Sequence, residues 1–240
     1  MRRSGSAPKT CYMCEGIATS VEHVPAQCFF PERKDLPPGI DLRRNLFTVP
    51  SCDGHNSHKS QDDQYLWQII TATRGINECG ERMVSTKVSR SISRRPALIQ
   101  SLARTAVPIH IYDSYSGAWD STAKVRFDGD RLLRILEQFG RALYFHHFRC
   151  KWRDRVASFP NFIDFDSNVA RDFRRDWRNV IEQSASEMAE LERIGENQDA
   201  FYYKAKPPDS RPATIMSATF YGAASITIGF YPNDDQEREG

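Results

Sequence analysis

Two pairs of metal-capable side chains constrain this chain more than any other feature: Cys11-Tyr12-Met13-Cys14 and Cys52-Asp53-Gly54-His55. Each pair has a two-residue gap, which lets one tight turn present both side chains to a single ion. The stretch they bracket, Cys11 to Asn56, is rich in Cys, Pro and Gly and poor in periodic apolar positions. Such a segment buries too little apolar surface to hold itself, so it needs a staple. Thiolate and imidazole suit zinc, and two pinned turns would order the loop between them. The pairs therefore predict a structural zinc on Cys11, Cys14, Cys52 and His55. A redox role for the first pair would require a strand-turn-helix context that the sequence does not supply.

The rest of the chain sets the frame. With 240 residues it can build one large core or two modest ones. Its 40% hydrophobic and 27% charged content is that of a globular protein. No stretch approaches the roughly 20 apolar residues of a membrane helix. The basic start MRRSGSAPKT is not followed by an apolar run, so no secretory signal is expected and a cytoplasmic location is. There the six cysteines stay reduced, which again favours metal ligation over disulfides.

Periodicity divides the remainder. Leu66, Ile69, Ile70 and Thr73 mark a helix beginning near Asp62, and two further helical segments are expected around 78–90 and 95–105, split at Arg95-Pro96. Val107–Tyr115 and Lys124–Phe127 alternate like strands about the Ser116-Gly117 turn. Leu132, Leu133, Leu136, Phe139, Leu143 and Tyr144 predict an amphipathic helix over Asp130–His147, and Phe173, Trp177, Val180, Ile181 and Met188 a second over Val169–Ile194. Strands follow at Phe201–Tyr203, Ala213–Tyr221 and Ala224–Tyr231, then a charged tail, NDDQEREG, expected to be disordered. The expected class is α+β: a small module over 8–75, a basic helical segment over 76–106, a mixed domain over 107–232 and the tail over 233–240.

Net charge is only +2, yet Arg82, Lys87, Arg90, Arg94, Arg95 and Arg104 face a single acid, Glu81, within residues 81–104. That run reads equally well as a surface for a phosphate backbone or as a solvated helix face.

Between the clamps lies Val21-Glu22-His23-Val24-Pro25, and after the second comes His55-Asn56-Ser57-His58-Lys59-Ser60-Gln61-Asp62. An acid followed by His and then Pro, framed by CxxC and by CxxH-Asn-x-x-Lys-Ser, resembles the zinc-stapled ββα-metal form of the HNH endonuclease family over about the first 70 residues. The resemblance implies a metal-dependent phosphodiester hydrolase. His23 would be the general base, Glu22 and Asn56 the oxygen ligands of a catalytic Mg²⁺ or Mn²⁺, and Lys59 a phosphate contact, joined in backbone binding by Arg82, Lys87, Arg90, Arg94 and Arg95. Chemistry agrees: cutting a phosphodiester needs a base with a pKa near neutrality and a hard cation bound by oxygen. Glu22-His23 would end the first hairpin strand and Asn56 open the helix behind it. The chain departs from the family where a second histidine usually stands, since His58 is displaced by one residue and Lys59 occupies a nearby slot. Asp62 and Asp63 could assist the site, but a helix cap is the favoured reading.

DNA is the expected substrate over RNA. By analogy the chain looks like a phage-defence or restriction effector with a regulatory partner such as an ATPase or sensor, and without membrane association. The alternative from another class is a non-catalytic zinc-binding module that docks nucleic acid or protein. Cys28, Cys79 and Cys150 read as buried free thiols, His146-His147 as a favourable helix C-terminus, and Tyr202, Tyr203, Phe220, Tyr221, Phe230 and Tyr231 as core aromatics rather than base-stacking residues.

Overall fold

The computed structural model of the chain describes residues 9–56, 59–94, 96–113, 117–163, 187–206 and 214–233. Strand β1 (Ser20–His23) pairs antiparallel with β2 (Thr48–Ser51), placing Glu22 opposite Val49 and His23 opposite Thr48. A single helical turn, α1 (Asp53–Asn56), follows at once, and α2 (Lys59–Thr71) runs behind the hairpin. α2 starts three residues before the expected Asp62, and its second half, Tyr65 to Thr71, is buried throughout.

The next helices form one nearly continuous rod: α3 (Glu78–Met83), a π-helical turn over Val84–Val88, and α4 (Ser89–Arg94). The Asn77 side chain opens the rod by accepting from the Gly80 amide at 3.1 Å, which satisfies one of the free N–H groups at a helix start. α5 (Ala97–Thr105) begins after Pro96, where the break was expected.

β3 (Val107–Asp113) and β4 (Ala118–Lys124) make a hairpin with exposed aromatics, Tyr112 against Trp119 with ring centroids 5.5 Å apart. The second strand therefore lies ahead of the expected Lys124–Phe127, because pairing with Asp113 starts at Ala118. Val125–Phe127 instead leads into α6, and Phe127 packs on the core.

α6 (Gly129–Phe148) is the central element. Asp128 caps it by accepting from the Arg131 amide, and Arg149 closes it in the left-handed conformation at φ 60°. Its apolar face lies on a four-stranded antiparallel sheet in the order β5 (Arg155–Pro160), β8 (Ala224–Tyr231), β7 (Thr214–Phe220), β6 (Phe201–Ala205). β5 has no counterpart among the sequence expectations; its flanking arginines and terminal proline hide a short edge strand. Gly140 sits where a Cβ would come within 2.9 Å of Ile228 Cγ2, so the absence of a side chain lets α6 approach β8 closely.

The class is α+β, and one buried cluster runs from Cys11 and Tyr12 through Trp67 and Leu136 to Ile228 and Phe230. Tyr203, Phe220, Tyr221 and Phe230 are all buried in it. Cys150, expected to be buried, is exposed just beyond the end of α6. The helix expected over Val169–Ile194 falls mostly on residues 164–186, which lie outside the described residues, as does the tail from 234. No helix among the described residues is long and apolar enough to cross a membrane.

Candidate metal centre and the cleft beside it

The first clamp is a small knuckle. Thr10 bridges Ile17, the Cys11 amide donates to the Gly16 carbonyl, and the amides of Met13 and Gly16 donate to Cys11 Sγ and Cys14 Sγ at 3.4 Å each. The second clamp is α1, where the amides of His55 and Asn56 both donate to the Cys52 carbonyl. Tyr12 N donates to the Pro50 carbonyl at 2.9 Å, which joins the knuckle to β2 and sets the clamps face to face.

Cys11, Cys14, Cys52 and His55 consequently place one donor atom each within 4.8 Å of all the others. Cys14 Sγ lies 3.8 Å from Cys52 Sγ, and His55 Nδ1 lies 3.2 Å from Cys52 Sγ and 3.5 Å from Cys11 Sγ. A tetrahedral zinc with Zn–S near 2.3 Å sets its sulfurs about 3.8 Å apart, so both the donor set and the spacing fit. Burial pushes the Cys11 thiol up, but the surrounding backbone amides outweigh it and leave the pKa at about 7, which favours the thiolate a metal requires. Among the described residues this is the one group of three or more His, Cys, Asp and Glu side chains so arranged.

A cleft opens next to this cluster, lined by Glu22 and His23 from the end of β1, Lys59, Asp62 and Asp63 from α2, and Gln138 from α6. Glu22 is buried at 5% exposure. Its Oε1 receives Tyr12 Oη at 3.3 Å and lies 3.0 Å from Lys59 Nζ, whereas its buried Oε2 has no hydrogen-bond partner among the described residues. Lys59 also reaches Asp63 Oδ1 at 2.8 Å. Desolvation pushes the Glu22 and Asp63 carboxyls up, while the two carboxylates hold the Lys59 ammonium above its usual range against the opposing effect of burial. His23 is half-exposed, with Nε2 3.2 Å from Gln27 Nε2, and burial lowers its pKa.

Asn56 ends α1 rather than opening the long helix, and its Nδ2 donates to Ser20 Oγ at 3.1 Å. Ser20 stands two residues before Glu22 on β1, hence on the same face of the strand. His58 lies outside the described residues. Asp62 is not a cap: it pairs with Arg131 of α6, Oδ1 to Nη2 at 2.6 Å. The Lys59 ammonium points between two carboxylates rather than outward to a phosphate.

The basic run is not one open face. Arg82 pairs with Glu78, Lys87 donates to the Cys28 carbonyl at 2.7 Å and lies over the Trp67 ring, and Arg90 grips Asp35 with bonds of 2.8 and 2.6 Å. Folding brings Glu32 and Asp35 against it, acids that a local charge count misses. Arg94 and Arg104 are exposed, and Arg95 is outside the described residues. His146 and His147 belong to the packing: His146 lies against Phe47 at 4.3 Å and His147 Nδ1 is 3.1 Å from Tyr203 Oη. Burial raises the Cys28 thiol to about 12 and the Cys79 thiol to about 11, as befits inert thiols.

Sequence reasoning overlooked Tyr12 and Gln138. Tyr12 sits inside the clamp motif and could have been noted as an apolar body with a polar tip; Gln138 left no local signal. Comparison with family models, with curated proteins and with solved structures gives no match.

Proposed function

We propose that the chain is a metal-dependent endonuclease of the HNH type, acting on DNA. The observation that carries this reading is the cleft beside the Cys11-Cys14-Cys52-His55 cluster, where a buried carboxylate whose Oε2 has no partner among the described residues, Glu22, adjoins a histidine whose pKa is lowered. The cluster keeps the hairpin and α1 in register, so Glu22, His23 and Asn56 belong to one stapled unit. His23 is neutral near pH 7 because desolvation disfavours its imidazolium, and Nε2, which accepts from the Gln27 amide, can take a proton from an attacking water once that water displaces Gln27. Glu22 Oε2 supplies the hard oxygen that Mg²⁺ or Mn²⁺ prefers, with Asn56 as the second ligand. Such a cation supplies charge stabilisation at the scissile phosphate and leaving oxygen. Arg94, Arg95 and Arg104 extend the proposal to the nucleic-acid backbone, as cations that hold a phosphate chain without reading its sequence. A role in phage defence, with a regulatory protein partner and a cytoplasmic location, completes it.

The experiment is cleavage of plasmid DNA, single-stranded DNA and RNA by the wild type and by His23→Ala, each with Mg²⁺, Mn²⁺ or EDTA. Metal-dependent cutting of DNA that disappears in the variant, with zinc content unchanged, is the expected result. A wild type that cuts none of the three substrates with either metal would sink the reading in favour of a zinc-stabilised docking module.

A further inference from the structure

We propose that Asp63 is a second carboxylate ligand of the divalent-cation site at Glu22, and that Lys59 is the internal counter-cation which an incoming metal displaces. This deepens the proposed nuclease site, though its cation chemistry can be measured apart from cleavage.

The argument starts from geometry. Lys59 Nζ lies 3.0 Å from Glu22 Oε1 and 2.8 Å from Asp63 Oδ1, so one ammonium bridges two carboxylates from different elements, β1 and α2. The three side chains are 4%, 16% and 11% exposed for Glu22, Asp63 and Lys59. Glu22 Oε1 is already engaged by Lys59 and Tyr12, while the buried Oε2 has no partner among the described residues. A buried carboxylate oxygen left unpaired is costly unless something supplies positive charge to it. Asp62 borders the same cleft, but Arg131 pairs with it and offsets its charge.

The charge count leaves room for a divalent occupant once the ammonium moves away. Two carboxylates and one ammonium leave the ionised cluster at −1, one positive charge short of neutrality. A divalent cation on Glu22 and Asp63 balances both acids by itself and makes the ammonium surplus. Retaining both cations between the same two oxygens would set like charges a few ångströms apart in a poorly solvated place. Lys59 has a long flexible stem and borders the cleft, so it can withdraw from the carboxylates without unfolding α2.

The test is Mn²⁺ binding by zinc-loaded full-length protein, read from the electron paramagnetic resonance signal of free Mn²⁺, for the wild type, Asp63→Asn, Lys59→Met and Asp62→Asn. Ligation by Asp63 predicts that Asp63→Asn binds Mn²⁺ at least about tenfold more weakly, that Lys59→Met binds it about tenfold more tightly, and that Asp62→Asn is near wild type. A purely structural Asp63–Lys59 pair predicts that Asp63→Asn leaves affinity unchanged or raises it, and that result overturns the inference, as does weaker binding by Lys59→Met or no Mn²⁺ binding by the wild type. Zinc content and helical circular dichroism report whether the variants fold. If they do not, anomalous diffraction from Mn²⁺-soaked wild-type crystals decides: a peak within coordination distance of both Glu22 and Asp63 supports the inference, and a peak touching Glu22 alone refutes it. Mn²⁺ binding of this pattern without cleavage would remove the nuclease reading and leave the cation site standing.

Discussion

Tyr12, inside the turn of the first clamp, donates its hydroxyl to Glu22 Oε1 at 3.3 Å and thereby ties the cysteine cluster to the buried carboxylate of the cleft. Gln138 of α6 holds the same hydroxyl at 3.1 Å and the His55 carbonyl at 3.3 Å, so one amide touches both clamps. The cluster thus orients the carboxylate as well as stapling the loop.

Removing that hydroxyl isolates the link. Tyr12→Phe keeps the buried ring and loses the bond to Glu22, so we expect zinc content to be retained while stability falls by about 1–2 kcal/mol, measured by urea unfolding. Under the proposed nuclease reading cleavage falls as well, since Glu22 loses a group that fixes its rotamer.

Loss of one donor of the candidate metal centre should act on a larger scale. Cys52→Ser leaves three donors, and with its staple weakened the segment from Cys11 to Asn56 lacks the apolar content to fold alone. Elemental analysis should show less than one zinc per chain, and the thermal transition should broaden and move down. A transition unchanged in position would show that the core, not the metal, holds the module.

Under the proposed nuclease reading, the pH profile of cleavage would follow from His23. Its pKa is lowered from 6.5 by desolvation, so on acidification the imidazole stays neutral to a lower pH than a free histidine would. The acid limb of the rate profile should therefore have its midpoint below 6.5, and Gln27→Ala, which opens the ring to water, should move that midpoint upward. A limb centred above 6.5 would exclude His23 as the group titrated.

The two kinds of arginine in the basic run should separate. Arg90→Ala strips the bidentate partner from Asp35, a nearly buried carboxylate, and should lower stability measurably in a chemical denaturation. Arg94→Ala should leave stability within about 0.5 kcal/mol but weaken DNA binding and reduce the magnitude of its salt slope by roughly one.

Packing at the helix–sheet contact gives a prediction independent of function. Gly140→Ala places a methyl 2.9 Å from Ile228 Cγ2 and 3.3 Å from Val156 Cγ1, so overpacking should destabilise the fold by about 1–3 kcal/mol despite alanine's better helix propensity. Thermal unfolding of the variant measures it.

Much of the architecture was legible because its signals are local. Spacing within each clamp and apolar periodicity in Gly129–Phe148 and Ala224–Tyr231 depend on residues close in sequence, and a helix or strand of that length carries its own pattern. β5 was missed because an edge strand of six residues ending in proline has little pattern to read. The second hairpin strand was misplaced because its register is set by Asp113 opposite Ala118, a pairing and not a composition.

The sequence by itself singled out Cys11, Cys14, Cys52 and His55 as side chains that could hold a metal, since a two-residue gap leaves each turn little choice but to converge its pair. Its local motifs also marked Glu22, His23 and Asn56 as candidates beside that cluster, but gave no sign of Gln138. Only the tertiary structure decided their partners. Lys59 faces Glu22 and Asp63, Arg90 faces Asp35, and Gln138 reaches back 126 positions to Tyr12. The reason is physical: charge and hydrogen-bond pairing inside a fold follow proximity in space, and burial makes each unpaired group costly enough that the pairing governs what every side chain is free to do.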